Sequence, residues 1–236
     1  MNPGKALSVE LRGPIISVRD PEVYQVAIAP PLPMPSTIVG AIGYAYWKIG
    51  LCSGEERCMS RAGETILKAR ASSAFSIKFS AVLSRYRGVL EEKRLPKDPN
   101  EISKFRDALV REYVFLDRFK VFILPSDDKY IGDIRRALLN VERIGDSESL
   151  VSISSIEEHE IEDCEGNTVN VVVRSSIASG GNYMIVRGLL ENGEKSMLAL
   201  PLMSERNYYR PSEIRLEASR RVKCAGNFRF PDGDNW

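Results

Sequence analysis

Ala6 to Val18 alternates apolar and polar positions and is rich in β-branched residues, the period-2 pattern of a strand with one buried face. Gly13-Pro14 inside it predicts a bulge or bend. From Ser36 to Ile49 the pattern becomes helical, with Gly40, Gly43 and Ala45 giving a small face for close packing on a sheet and Gly50 as the stop. A second helix is expected over Glu55 to Ala71. Ala74 to Ser84 and Phe119 to Leu124 read as the second and third strands. Tyr130 to Val141 places Ile131, Ile134, Ala137, Leu138 and Val141 on one helical face, and Leu150 to Ser154 reads as a fourth strand. The order βαββαβ predicts an α+β fold, a ferredoxin-like domain over 1–155.

Two segments exceed that minimal fold. Arg85 to Asp117 is a long inserted arm, rich in charge, with Pro96, Pro99 and a helical stretch from Glu101 to Arg111. Loops of this length are functional or disordered, and its charge and prolines cannot fill a core. Beyond Ser155 come further strand-like runs at Thr168 to Arg174, Tyr183 to Leu190, Ser196 to Leu202 and Ile214 to Val222, with Asn192-Gly193 as a tight hairpin turn. These predict a small β-rich C-terminal subdomain over 156–230, and a frayed tail over 231–236.

Composition narrows the class. Of 236 residues, 43% are hydrophobic and 28% charged, enough for a sizeable core, and the net charge of +1 excludes a globally basic nucleic-acid binder. The charge is unevenly placed: seven Lys/Arg against two acids from Arg206 to Phe230, nine acids against one Arg from Val141 to Asn170. Two different neighbours, or mutual compensation within the fold, would each explain that asymmetry. No signal peptide or membrane span is legible, so a cytoplasmic location and no membrane partner are expected. Cys52, Cys58, Cys164 and Cys224 match no zinc spacing and no disulfide framework. Buried or idle thiols are expected, with a Cys52–Cys58 pair as the alternative for a hyperthermophilic source.

The chemistry-bearing segments are two. Ala29 to Gly40 spells APPLPMPSTIVG, a stiff proline strap aimed at a helix start, where Ser36 or Thr37 would cap the first N–H groups. Such a start is an anion site, RNA phosphate being one candidate; an ordinary ordered loop is the other reading. Arg143 to Ser149 spells RIGDSES, between a helical pattern and a short strand. Arg143, Gly145, Ser147 and Ser149 there offer a guanidinium, a permissive backbone and hydroxyls. The two segments in this order, over roughly residues 5–155, resemble the Cas-five family, the smaller RAMP subunit of the CRISPR Cascade complex, and within it the archaeal type I-A branch. The resemblance implies a subunit that holds the 5′ handle of the guide RNA (crRNA). It would contact the neighbouring backbone RAMP subunit and the large subunit, with the arm as a thumb where handle meets spacer. Some relatives cleave repeat RNA without metal through Tyr, Lys and His, but type I-A systems usually leave that to a separate subunit.

An enzyme reading finds little material. The single histidine, His159, lies in the acidic run IEEHEIED and reads as a solvated loop residue; Glu157, Glu158, Glu160, Glu162 and Asp163 lack calcium-loop spacing and read as a repulsive or docking face. No Tyr/Lys/His triad can be placed, and neither a catalytic residue, a metal site nor a cofactor is assigned. Binding residues are better represented. Arg85, Tyr86 and Arg87 end the second strand at the base of the arm, where Arg suits phosphate and either side chain can stack on a base. Gly180, Gly181 and Asn182 form a flexible turn near Arg174, and Arg206, Tyr208, Tyr209 and Arg210 make a basic-aromatic cluster. A packed ring, a plain hairpin loop and a surface charge are the structural alternatives. A non-catalytic guide-RNA-binding subunit is the reading that results, ahead of a metal-independent endoribonuclease or an RRM-like protein-interaction module.

Overall fold

The computed structural model describes residues 3–18, 28–72, 74–233 and 236. Strand β1 (Lys5–Ile16) leads to helices α1 (Pro35–Lys48) and α2 (Glu55–Thr65), then to strands β2 (Ile66–Ala71) and β3 (Ser76–Arg85). Two short helices, α3 (Arg87–Glu92) and α4 (Ile102–Phe105), cap a hairpin whose return strand is β4 (Asp107–Pro125). Helix α5 (Ile131–Leu138) and strand β5 (Ser152–Glu160) follow. β1 pairs antiparallel with β4 on one side and β5 on the other, while β2 and β3 lie end to end along the far edge of β4. With β2 and β3 counted as one interrupted strand, this is the ferredoxin-like order, with β5, β1, β4 and then the broken strand.

Alternation along β4 divides the molecule. Val114, Leu116, Phe119, Val121 and Ile123 face the core shared with α1 and α5, where Ile38, Ile42, Tyr46, Ile134 and Leu138 pack on Leu7, Val9 and Leu11 of β1. Each such side chain, fully buried, stabilises by about 1.5–3 kcal/mol. Phe122 and Leu124 point the other way, into a second core under the C-terminal strands. A bulge at Asp117 keeps the phase: Gly13 sits opposite Leu116, and Arg12 opposite Arg118. The shift at Gly13 bears out the expected bulge in β1.

The C-terminal part is a set of short strands. They are β6 (Glu162–Cys164), β7 (Thr168–Val169), β8 (Val173–Arg174), β9 (Ala178–Gly181), β10 (Met184–Leu189) and β11 (Lys195–Leu200). β12 (Leu202–Glu205), β13 (Tyr208–Pro211), β14 (Ile214–Leu216), β15 (Val222–Ala225) and β16 (Phe228–Pro231) complete it. The β12–β13 hairpin extends the main sheet beside β3, and the others form three three-stranded sheets. Gly193, at φ +80°, makes the expected turn between β10 and β11.

Several expectations are corrected. The helix over Glu55–Ala71 ends at Thr65, because Ile66 to Ala71 bond along β4 and bury Ile66, Ala69 and Ala71 there. The third strand begins at Asp107 rather than Phe119, and pairs with β3 from Ile77–Phe115 out to Arg85–Asp107. Much of the supposed loop is therefore hairpin, and the expected helix Glu101–Arg111 shrinks to α4. The run Ile214–Val222 stops as a strand at Leu216. The cysteines are paired, Cys52 with Cys58 and Cys164 with Cys224. The tail is anchored: Trp236 is 1% exposed, its ring 5.5 Å from Phe230, and its carbonyl accepts from the buried Arg70 guanidinium at 2.8 Å. Tail residues 234 and 235 lie outside the described residues.

Candidate nucleic-acid interface

The proline strap reaches the first turn of α1 with Pro35 at the first helical position. The cap position is Met34, without a side-chain hydrogen bond, so Ser36 and Thr37 are not caps. Both lie inside the first turn because Pro35 already supplies the fixed φ that opens a helix. Thr37 and Ile38 donate back to the Met34 carbonyl at 3.0 and 3.1 Å, leaving the Ser36 N–H without a partner among the described residues. The strap is tied to the sheet through Glu112, which accepts from the Ala29 N–H at 3.0 Å and pairs with Lys78 at 2.6 Å. Between strap and β10 lies a cavity of about 250 Å³, lined among others by Val18, Ser36, Thr37, Lys78, Arg187 and Tyr209.

The RIGDSES turn adjoins that cavity through the end of β1. Arg111, on β4 and 4% exposed, donates to the Ser17 hydroxyl at 2.8 Å and pairs with both Asp146 and Glu148. The Asp146 N–H donates to the Ser17 carbonyl at 2.9 Å. Ser149 is fully buried: its hydroxyl accepts from the Ser17 N–H at 2.9 Å and donates to the Ser17 carbonyl at 3.1 Å. Gly145, at φ +111°, passes so close that a Cβ would stand 2.5 Å from the Ser17 carbonyl and 3.1 Å from Val18. Val18 is thus wall to the cavity and neighbour to the turn. Gly145 and Ser149, read from sequence as phosphate contacts, hold the turn on β1 instead; Ser147 remains exposed. Arg143 pairs with neither adjacent carboxylate, since Glu142 binds Lys48 and Glu148 binds Arg111. Its guanidinium lies over the Tyr44 ring of α1, 4.7 Å from the centroid, at the edge of the hollow between α1 and α2.

The remaining expected residues divide by environment. Arg85, Tyr86 and Arg87 stand at the base of the hairpin tip, with Tyr86 exposed. Arg174 is engaged by Glu194 through two hydrogen bonds of 3.0 and 3.1 Å, and that pairing holds the Glu194 carboxyl below its ordinary value. Gly180 and Gly181 pair with β14, a Cβ on Gly181 would meet the Glu213 carbonyl at 2.6 Å, and the Asn182 carbonyl accepts from Ser212. This turn does not line the cavity but leads directly into β10, which does. Arg206, at φ +57°, forms the β12–β13 turn. Tyr209 is buried in the main core at 7% exposure. The Tyr208 hydroxyl is held above its ordinary pKa by its hydrogen bond to Glu205, and Arg210 lies over the Tyr208 ring.

His159 is not a loop residue. It sits on β5 opposite Ala6, bonded to Ser8 at 2.8 Å and covered by Gly226, where a Cβ would come within 2.7 Å of its ring. The acidic run around it is partly neutralised, with Lys5 on Glu158 and Glu160 and Lys223 on Asp163. Compensation within the fold therefore answers part of the charge asymmetry. Among the described residues, no three His, Cys, Asp or Glu side chains gather as a metal cluster, and no helix is long and apolar enough to cross a membrane. Sequence reasoning missed Arg111, Lys78 and Tyr44. Arg111 had one signal, a cation on the Tyr113–Phe115 side of an alternating run.

No family model matches the chain. A CRISPR-associated protein Cas5 from Thermoproteus tenax is 39% identical over 229 residues, covering 97% of this chain and 98% of the relative. The crystal structure of a CRISPR protein from Archaeoglobus fulgidus superposes with a TM-score of 0.63 at 14% identity, covering 96% of this chain and 98% of the other.

Proposed function

The chain belongs to the Cas5 family of CRISPR-associated proteins, and from that premise we propose that it is a non-catalytic subunit of a type I CRISPR interference complex that caps the 5′ handle of the guide RNA. The handle lies where the strap, the first turn of α1 and the RIGDSES turn meet around Val18. The observation that carries this is Arg143, a guanidinium of that turn without a carboxylate partner among the described residues, lying over the Tyr44 ring of α1 at the edge of the α1–α2 hollow. It supplies a phosphate contact, and the Ser36 N–H supplies a donor at the positive end of α1. The β3–β4 hairpin with α3 and α4 at its tip is the arm, set at the junction of handle and spacer. The backbone RAMP subunit and the large subunit are its neighbours in the cytoplasmic complex.

The test is handle binding across a salt series. Arg143→Ala is expected to weaken binding to all handle sequences alike and to reduce the salt slope by about one. A lowered melting temperature with unchanged RNA affinity would instead make Arg143 a structural residue. Repeat RNA incubated with the protein, with and without chelator, is expected to stay intact. A specific cut at one position would favour the endoribonuclease reading.

A further inference from the structure

The open face of the main sheet, opposite the helices and the strap, carries a second surface. On β3 and β4 that face shows Ile77, Phe79 and Phe115 to solvent. The register makes them neighbours: Ile77 stands opposite Phe115, and Phe79 opposite Tyr113 with the rings stacked 5.6 Å apart. Tyr208 of β13 stands opposite Ile77, and the exposed Phe75 lies 6.2 Å from the Tyr208 ring. Rings are thus laid side by side on the part of this face that stays exposed to solvent.

The same face adds cations just across the bulge. Arg12 and Arg118 stand directly opposite each other on β1 and β4, with Lys120 next along β4. Glu10 is the carboxylate set among them, 4.0 Å from Arg118 and 3.9 Å from Lys120. Like charges directly opposite weaken a sheet; Glu10 offsets this for Arg118 and Lys120, while Arg12 faces Arg118 with no carboxylate partner of its own among the described residues. An anion between the two arginines removes that remaining repulsion. A polyanion bearing flat apolar groups answers both halves of the surface, since aromatic rings on an open sheet stack unpaired bases while neighbouring arginines hold phosphates.

We propose that this face binds single-stranded nucleic acid, bases stacking on Phe79, Phe115 and Tyr208 and phosphates held by Arg12, Arg118 and Lys120. It lies across the sheet from the strap and α1, is bordered at Arg111 by the RIGDSES turn, and does not rest on the handle reading. The charge favours a strand of phosphates over a protein partner, because Arg12, Arg118 and Lys120 surround the one carboxylate Glu10, while Glu205, Asp146 and Glu148 near the rings are engaged by Tyr208, Arg210 and Arg111.

Fluorescence anisotropy of the full chain with short oligo(U) and oligo(dT), neither carrying a handle, tests this between about 50 and 200 mM salt. Salt-dependent binding is expected, and the two oligonucleotides tell RNA from DNA as its source. Phe79→Ala with Phe115→Ala is expected to weaken binding at least about tenfold. Arg12→Gln with Arg118→Gln is expected to lower the salt slope by about 1.4 while raising the melting temperature, since the like-charge contact is gone. The second pair decides the matter even if the first fails to fold. Absence of binding to both oligonucleotides, or an unchanged slope in the arginine variant, overturns the proposal. So does capture of a protein subunit by this face with oligonucleotide affinity unaltered in both variants.

Discussion

Replacing Arg111 by Met tests whether the turn after α5 is held from β4. The Arg111 side chain is almost wholly buried and serves three partners, Ser17, Asp146 and Glu148. Removing one member of a buried ion pair costs about 3–5 kcal/mol when the other is left dry. Here the carboxylates retain 29% and 36% side-chain exposure, so water and salt recover part of that. Methionine also avoids the desolvation of a guanidinium. The net expectation is a loss of about 2–3 kcal/mol, read by urea unfolding, and a melting temperature lower by about 4–12 °C. A double-mutant cycle with Asp146→Asn should return a coupling of at least about 1 kcal/mol. At a temperature where the variant is still folded, handle affinity should also fall, because Ser17 and Gly145 lose their clamp and Arg143 its fixed position. A stability loss under about 1 kcal/mol with no coupling would refute the reasoning: the carboxylates would then be resolvating freely and the turn would be held by Ser149 and the Asp146 N–H.

Three further outcomes follow from the packing. Trp236→Ala is expected to cost about 3–5 kcal/mol by urea unfolding, since the ring fills the core beside Phe122 and Phe230; a near-neutral result would mean that the tail frays. Asp133 is held below its ordinary value of 3.8, chiefly by its hydrogen bond from Arg136, with Arg61 adding to it. A depressed carboxyl contributes stability that is complete above its unfolded value and lost as pH falls through its folded value. Thermal melts of Asp133→Asn should therefore fall below wild type at neutral pH and converge with it as pH falls through the folded value, and a gap constant with pH would exclude the linkage. Deleting Leu90 to Arg106 should leave stability within about 1 kcal/mol, because the tip packs mainly on itself, Arg94 over the Phe105 ring, while assembly on guide RNA is impaired. Loss of soluble protein would make the tip part of the core.

The elements legible from sequence are those whose pattern matches what they bury. α1 and α5 each present one apolar face to one core, β1 does so apart from Ala6, which enters the second, and period alone located them. β2 was hidden because Ile66-Leu67-Lys68-Ala69-Arg70-Ala71 follows a helix and carries good helix formers; only its pairing with β4 makes it a strand. The first half of β4 was hidden by Arg111 and Glu112. Their partners, Asp146 and Glu148 for one and Lys78 for the other, lie far away in the chain. Charge in a strand looks like loop until its counter-charge is placed, and no window of sequence contains that information. Trp236 was lost for the same reason, since what it packs on is β4 and β16.

The candidate site shows the same limit in sharper form. RIGDSES was legible as a motif, yet the roles within it are nearly the reverse of those its residue types suggested. A glycine and a hydroxyl beside an arginine look like a phosphate cradle, and here they are occupied in closing the turn onto Ser17. That closure would fix Arg143 for the phosphate contact proposed for it, because a guanidinium on a loose loop would lose side-chain entropy on every contact it made. It also couples the two halves of the surface. Ser17 is clamped by Ser149 and Arg111, and the next residue, Val18, is a wall of the strap cavity. A ligand that shifts the turn must move Ser17, and a moved Ser17 carries Val18 with it, so strap and turn should respond to RNA as one unit rather than as two independent phosphate contacts.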